Sequence, residues 1–330
     1  MKRVTRKEIL NAIGCPHLSL RKSTYPMRDA RFVFTYEKQL KTLGTHWVHV
    51  DQLNCMTLEH WVESGKAFVD ELETAAAEAK ATEIISLYDF SGVSCLPWAE
   101  AGHTCYAFDI QHPPAEERKM DWFPSGGSIH YIHADLHKPE TFTELLKYFG
   151  DESALVGFGM AFPVYTDLSV AGSRHFAKKA ERDPDFQTKA VNYAVMCADF
   201  FEALGVPYFL ENPVSVLSTQ WRKPNHRFHP SDFGGYIPAD QAEHPRWPQY
   251  IAPRDAYQKK TCLWSGGGFV MPEKMPVDPE AYHTAANGDG YSTAMMKLGG
   301  KSQRTKDIRS ETPRGFANAV YQANKWEAAA

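Results

Sequence analysis

Between residues 83 and 213 short apolar runs alternate with helical segments, and this alternation leaves few folds open to the chain. Glu83-Ile84-Ile85-Ser86-Leu87-Tyr88-Asp89 has the length and burial pattern of a strand, closed by the turn Phe90-Ser91-Gly92. Residues 96–101 predict a short helix ended by Gly102, and 104–109 a second strand ending in Asp109. A third strand over 129–132 leads to Asp135. A helix near 140–149, a strand over 154–159, a long helix over 186–204 and a strand over 207–213 follow. Such alternation predicts an α/β fold with a parallel, doubly wound sheet. Ligands of these sheets lie at the carboxyl ends of the strands. Asp89, Asp109, Asp135, Tyr165 and Glu211 each fall just past a strand, so they are expected on one rim.

The flanks read differently. Residues 57–80, with Thr57 as cap, predict a helix and make 1–80 a partly helical N-terminal extension. Residues 81–215 form the expected catalytic domain. From about 216 to 300 Pro, Gly, His, Trp and Tyr are dense and periodicity fades, which predicts a smaller, irregular domain. In 301–330 a helix capped by Thr312, with Pro313 at its first position, is expected to dock back on the catalytic domain. No stretch approaches the roughly 20 apolar residues that span a bilayer. The basic N-terminus lacks a following apolar segment. The six cysteines show no CxxC spacing, so no metal site is expected and the thiols are read as reduced. The expectation is a monomer in a cytoplasm. A net charge of −4 excludes a global basic footprint. Phosphate contacts must then come from local patches at 174–182, 222–227 and 297–309. Trp221 and the run Gly266-Gly267-Gly268 are further candidates for a groove, against plain readings as core and turn.

The acidic residues define the ligand. Gly92 lets a backbone approach closely. Asp109, at a second strand end, suits the two hydroxyls of a ribose. Asp135, at a third, suits an adenine amine. The sequence has neither GxGxxG nor GxxxxGK[ST], which argues against a dinucleotide or a nucleoside triphosphate. An adenosine-type group without phosphates fits best.

The run Ile85-Ser86-Leu87-Tyr88-Asp89-Phe90-Ser91-Gly92, with Trp98-Ala99-Glu100-Ala101-Gly102-His103 and Ala107-Phe108-Asp109-Ile110, resembles the cofactor-binding motif of DNA cytosine-5 methyltransferases. It is similar to a phage-type branch of that family. The resemblance continues through Phe162-Pro163-Val164-Tyr165-Thr166-Asp167-Leu168, Glu211-Asn212-Pro213, Gln258-Lys259-Lys260-Thr261 and residues 312–320. It covers roughly residues 83–325 and implies a Rossmann-like S-adenosylmethionine-dependent methyltransferase fold with a target-recognition domain in 216–300. It further implies S-adenosyl-L-methionine held by Asp89, Phe90, Ser91, Gly92, Asp109, Ile110, Asp135 and Leu136. DNA is the implied partner, with a base flipped from the duplex. The base would meet Phe162, Pro163, Tyr165, Glu211, Asn212 and Pro213. Arg174, Arg222, Lys259 and Lys260 would contact the DNA.

One departure decides the expected chemistry. Tyr165 stands where the family has its nucleophilic cysteine; Ser94 stands where it often has Gly, and Lys259-Lys260 where it has an Arg-x-Arg pair. Carbon 5 of cytosine becomes nucleophilic only after a thiolate adds to carbon 6. A phenol, with a reference pKa of about 10, is a poor substitute. Cys95, Cys105, Cys197 and Cys262 are read as structural. Three readings stand side by side. The favoured one is transfer to the exocyclic N4 amine, because Phe162-Pro163-Val164-Tyr165 is similar to the Asp/Ser-Pro-Pro-Tyr loop of DNA amino-methyltransferases. The Phe162 or Pro163 carbonyl and Glu211 would then accept from the amine while Tyr165 stacks on the base. The second is modification of carbon 5 by another route, of a pre-modified pyrimidine, or with a group other than methyl. The third is a silent DNA-binding scaffold.

Overall fold

The computed structural model describes residues 4–16, 18–22, 32–38, 41–48, 50, 52–78, 83–150, 156–280, 282–284, 290–292, 298 and 302–326. The start of the strand expected over 154–159, Lys297 and part of the region expected to recognise a target lie outside them. The chain divides into two compact units, Met1–Lys80 with Gly150–Ala154, and Ala81–Phe149 with Leu155–Ala330.

The first unit is more than a partly helical extension. Helix α1 (Arg6–Ile13) begins with a capping box between Thr5 and Glu8 and ends at Gly14 in the left-handed region. Strands β1 (Leu18–Lys22), β2 (Phe32–Lys38) and β3 (Lys41–Val48) pair antiparallel in that order. Helix α2 (Leu58–Glu78) starts where Thr57 Oγ1 accepts the His60 amide at 3.3 Å. Ile9, Leu20, Phe34, Trp61 and Phe68 form a separate apolar core. The sequence reading missed this sheet because antiparallel pairing is held by contacts across strands, which no local periodicity records.

The second unit is built on an eight-stranded sheet. Its strands are β4 (Glu83–Leu87), β5 (Thr104–Asp109), β6 (Met120–Trp122), β7 (Ser128–His133), β8 (Val156–Ala161), β9 (Tyr208–Pro213), β10 (His226–Phe228) and β11 (Thr261–Gly266). They lie in the order β10-β11-β9-β8-β4-β5-β7-β6. Strands β7, β5, β4, β8 and β9 are parallel, which reproduces the first five places of the doubly wound nucleotide-binding order. Next to β9, however, stands the reversed strand β11, and β10 pairs antiparallel with β11. The crossovers change direction at β4, so a crevice opens between the ends of β4 and β8.

Alternate side chains feed two cores. Leu87, Phe108 and Leu210 face one side with Phe142 and Phe149 of α4 (Pro139–Gly150) and Ala194 and Phe201 of α6 (Phe186–Leu204). Ile84, Ala107 and Phe209 face the other with Trp98 of α3 (Leu96–Glu100) and Phe316 and Val320 of the C-terminal helix. A Cβ on Gly159 of β8 would come within 2.3 Å of the Phe201 ring, so glycine lets α6 approach the sheet.

Two expectations need correction here. Residues 216–300 do not stand apart as a smaller domain, because β10 and β11 complete the central sheet. Strand β11 is apolar on both faces and therefore shows no alternation. The C-terminal helix spans Arg314–Asn324 with Pro313, not Thr312, at its N-cap and no side-chain cap of its own. Its buried first-turn amide at Gly315 donates instead to Asp255 Oδ2 at 2.9 Å, a partner 60 residues away.

Candidate active site

Strand β4 is followed by Tyr88, which has φ 57° and therefore a left-handed backbone unusual for a large side chain. Its hydroxyl donates to the Leu136 carbonyl at 2.8 Å and so ties the end of β4 to the loop after β7. Asp89 follows and is buried. Its Oδ1 accepts the Gly92 amide at 2.7 Å and the Ser91 hydroxyl at 3.2 Å. Its Oδ2 accepts the Ser86 hydroxyl at 2.8 Å and the Ser94 hydroxyl. Asp89 thus shapes the turn with both oxygens engaged. The unexpected Ser94 is one of its donors. The turn also consumes its own amides, since Val93 N donates to Ser91 Oγ and Cys95 N to the Gly92 carbonyl.

Asp109 ends β5. Its Oδ1 accepts the Gln111 amide at 2.8 Å and the Gln111 side chain at 3.3 Å. None of the described residues donates to Oδ2. Burial raises its pKa against the pull of the Gln111 bonds. Phe90 and Ile110 are 41 % and 55 % exposed, so each presents an apolar surface beside Asp109 that the core does not use. Asp135 receives the His137 amide at 3.1 Å and pairs with Lys138 at 3.3 Å. Slight burial pulls its pKa up, but these two partners outweigh it and hold the carboxyl below its ordinary range. Leu136 is placed differently from its expected role: its side chain belongs to the core, which leaves only its backbone to the rim.

At the other end of the rim the loop 162–165 is fixed from below. Asn212 is buried, and its Nδ2 donates to the Pro163 carbonyl at 2.8 Å. That carbonyl, expected as an acceptor for an amine, thus already accepts one bond and keeps a second lone pair. The Phe162 ring packs edge-on against Phe209 with centroids 5.9 Å apart. Pro213 closes β9 opposite Thr261. Glu211 has no hydrogen-bond or ion-pair partner among the described residues. Burial raises its pKa, and Lys259 nearby only partly counters this. Tyr165 is half-buried; burial raises the pKa of its phenol, opposed by Arg309 and reinforced by Glu211. Two acids that each shift because of burial, and that feel each other, are a common mark of a working site.

The thiols do not substitute for a nucleophile. Cys95, Cys105, Cys197 and Cys262 are buried. The Cys105 thiol and burial push Cys95 up, while burial alone leads for Cys197 and Cys262. Neutral buried thiols are inert. Among the described residues no group of three potential ligands could hold a metal, and no helix is long and apolar enough to cross a membrane.

The expected nucleic-acid contacts separate by position. Arg222 is corrected: its guanidinium bonds Asn225 at 2.7 Å and the Ser265 carbonyl at 3.2 Å, and lies 4.5 Å over Trp221. Ser265 pairs with Phe209 near the start of β9, so Arg222 belongs to the rim opposite Glu211. Trp221 stacks on buried Trp264, and the turn at Gly267 packs on Val206, so both act as structure. Lys259 and Lys260 precede β11 and do lie at the Glu211 end. Lys259 Nζ donates to the Arg309 carbonyl at 3.1 Å. Arg174 is exposed on a 3-10 segment, Val170–His175, that the Val170 amide ties to the Val214 carbonyl at 3.1 Å.

The sequence reading did not single out His112, Gln111 or Tyr88 as site residues, and it reached Arg309 only as the end of the basic patch 297–309. His112 is buried; its Nε2 donates to the Asp89 carbonyl at 3.0 Å, and burial keeps the ring neutral by lowering its pKa. Only contacts distant in sequence identify these residues. A cavity of about 210 Å³ flanks the rim, lined by His137, Val164, Asp167, Phe186 and Tyr193 among others. It borders the loop of Tyr165, but neither Asp109 nor Glu211 lines it. Comparison of the chain with protein-family models and with curated proteins returns no match.

Proposed function

We propose that the chain is an S-adenosylmethionine-dependent methyltransferase that acts on the N4 amine of a flipped cytosine in DNA. One observation carries the reading: the Glu211 carboxyl, raised in pKa by burial and without a protein partner among the described residues, acts on the Tyr165 phenol, while the thiol that it also acts on, Cys262, is buried and raised in pKa. Glu211 is part-exposed, so its carboxyl is open to a polar group brought by a ligand, which would supply the partner that the protein does not. The cofactor fits the chain's own residues. Asp109 keeps one oxygen for ribose hydroxyls, and Phe90 and Ile110 offer apolar surface beside it. In the Asp89–Cys95 turn the amides of Gly92, Val93 and Cys95 are bonded internally and a carboxylate sits beside them, which suits a cation better than a phosphate.

S-adenosylmethionine supplies an electrophilic methyl group when bound. Glu211 orients the amine edge of the base and takes up the proton that N4 loses. Tyr165, kept neutral by its raised pKa, packs against the base and does not attack it. The Asn212–Pro163 bond holds the Tyr165 loop over Glu211. The Phe162 carbonyl, or the second lone pair of the Pro163 carbonyl, takes the other acceptor role.

Incubation of the protein with labelled cofactor and DNA, followed by nucleoside mass spectrometry, tests this directly. N4-methylcytosine is the expected product, and Tyr165→Phe should retain it within about tenfold, the cost of about 1.4 kcal/mol. Recovery of 5-methylcytosine would defeat the N4 assignment. Absence of any modified base would favour a binding scaffold.

A further inference from the structure

Helix α8 (Gln303–Ser310), so numbered after the short α5 (Phe176–Ala180) and α7 (Leu217–Gln220), crosses the rim between its two ends. At its start Gln303 donates to the Gln111 side chain at 2.6 Å, and Gln111 is the residue that holds Asp109. At its end the Arg309 carbonyl accepts from Lys259, and the Arg309 charge acts on Tyr165. Six residue steps at about 1.5 Å each make a strap of roughly 9 Å from the Asp109 end to the Tyr165 end. Thr305 and Ile308 point inward and are buried, which fixes the rotation of the helix. Ser302 caps it by accepting the Thr305 amide at 3.2 Å.

The outward face is basic in a chain that is not. The whole sequence has 36 Lys and Arg against 40 Asp and Glu, yet α8 carries Arg304, Lys306 and Arg309 against Asp307 alone. Arg304 is turned aside over the Trp247 and Tyr250 rings, at 5.7 and 5.8 Å. Lys306 and Arg309 remain, three residues apart and therefore neighbours on one face. Both are exposed, and Lys306 has no acceptor among the described residues. Arg309 uses one nitrogen on the Leu298 carbonyl and keeps further donors. Lys259 and Lys260 continue the same charge beside Glu211.

We propose that this face of α8, through Lys306 and Arg309 with Lys259, binds the phosphodiester backbone of the substrate strand next to the target nucleotide. The proposal rests on the nucleic-acid reading above. Phosphates are recognised by charge without regard to sequence, and each contact releases counterions. The helix would set the path of the strand so that a base displaced from it meets Tyr165 and Glu211.

The test is a salt series of oligonucleotide binding, read by fluorescence anisotropy, on the full chain with and without Lys306→Gln and Lys306→Glu. Lys306 is exposed, so neither change removes a core contact. Loss of one phosphate contact should reduce the slope of log K against log salt by about 0.7 to 0.9. Affinity should fall several-fold for every sequence tried, more for Glu than for Gln, while S-adenosylmethionine affinity stays unchanged. Slopes equal to the parent in both variants would overturn the assignment of the helix and leave the methyltransferase reading standing. A parent that binds the cofactor but no DNA at any salt would overturn both. Binding of heparin that an excess of oligonucleotide does not displace would assign the face to another polyanion and overturn the proposal.

Discussion

Glu211 links function and stability in opposite directions. Its carboxyl is raised above its ordinary pKa by burial. The unfolded chain titrates it at the ordinary value, so its contribution to stability is full below that value and is lost as pH rises through the folded pKa. Gln carries no charge at any pH. Glu211→Gln should therefore be more stable than the parent at neutral and alkaline pH, and thermal melts across pH should show a shallower decline. The same variant should lose about 10²- to 10⁴-fold in methyl transfer, the usual worth of a positioned proton acceptor. A variant that is both less stable at pH 8 and fully active would contradict both roles. The neutral buried thiols, the neutral His112 and the fully bonded Asp89 are the passive frame around this residue.

Elements meet through polar groups far apart in sequence. The turn around Asp255 holds the N-terminus of helix α9 (Arg314–Asn324), and both Arg254 and Asp255 have positive φ, 54° and 50°. Two strained residues in succession persist only where surrounding structure determines them. Beside them Glu311 is buried and accepts from the exposed Arg246 and the Trp247 indole. Burial raises the Asp255 pKa from 3.8 to about 6 against the Gly315 amide and Arg314. Its stabilising contribution is thus complete below pH 3.8 and lost as pH climbs to about 6. The loss at neutrality is on the order of 3 kcal/mol. Asn in this position keeps an acceptor for Gly315 and has no proton to lose. In Asp255→Asn the difference in melting temperature between pH 4.5 and pH 7 should shrink; an unchanged difference would show that other groups set it.

At the scale of the molecule the two units have separate cores. Trp61 is fully buried in the first, edge-on to Phe32 and Phe34 at 5.7 and 5.9 Å, with its indole N–H on the Leu53 carbonyl at 2.9 Å. Trp61→Ala should cost that unit about 3 to 5 kcal/mol. Circular dichroism should then show an earlier transition of limited amplitude, while calorimetric affinity for S-adenosylmethionine stays at the parental value. A matching loss of cofactor affinity would show that the unit Ala81–Phe149 with Leu155–Ala330 does not hold the cofactor residues on its own.

By itself the sequence determined the parallel core of the sheet and the rim positions of Asp89, Asp109, Asp135 and Glu211. Strands β4, β5, β7, β8 and β9 and helix α6 are each a continuous stretch whose apolar pattern is local, so burial can be read along the chain. It also determined that a phenol stands at residue 165. Tertiary structure alone decided that β11 joins the sheet reversed, that Arg222 faces the opposite rim and that the Pro163 carbonyl accepts from Asn212. Only the fold supplied the Asp255 cap and the strap across the rim. These depend on hydrogen bonds and strand pairing between segments 43 to 192 residues apart, and a polar side chain in sequence does not state which of its possible partners folding will bring to it.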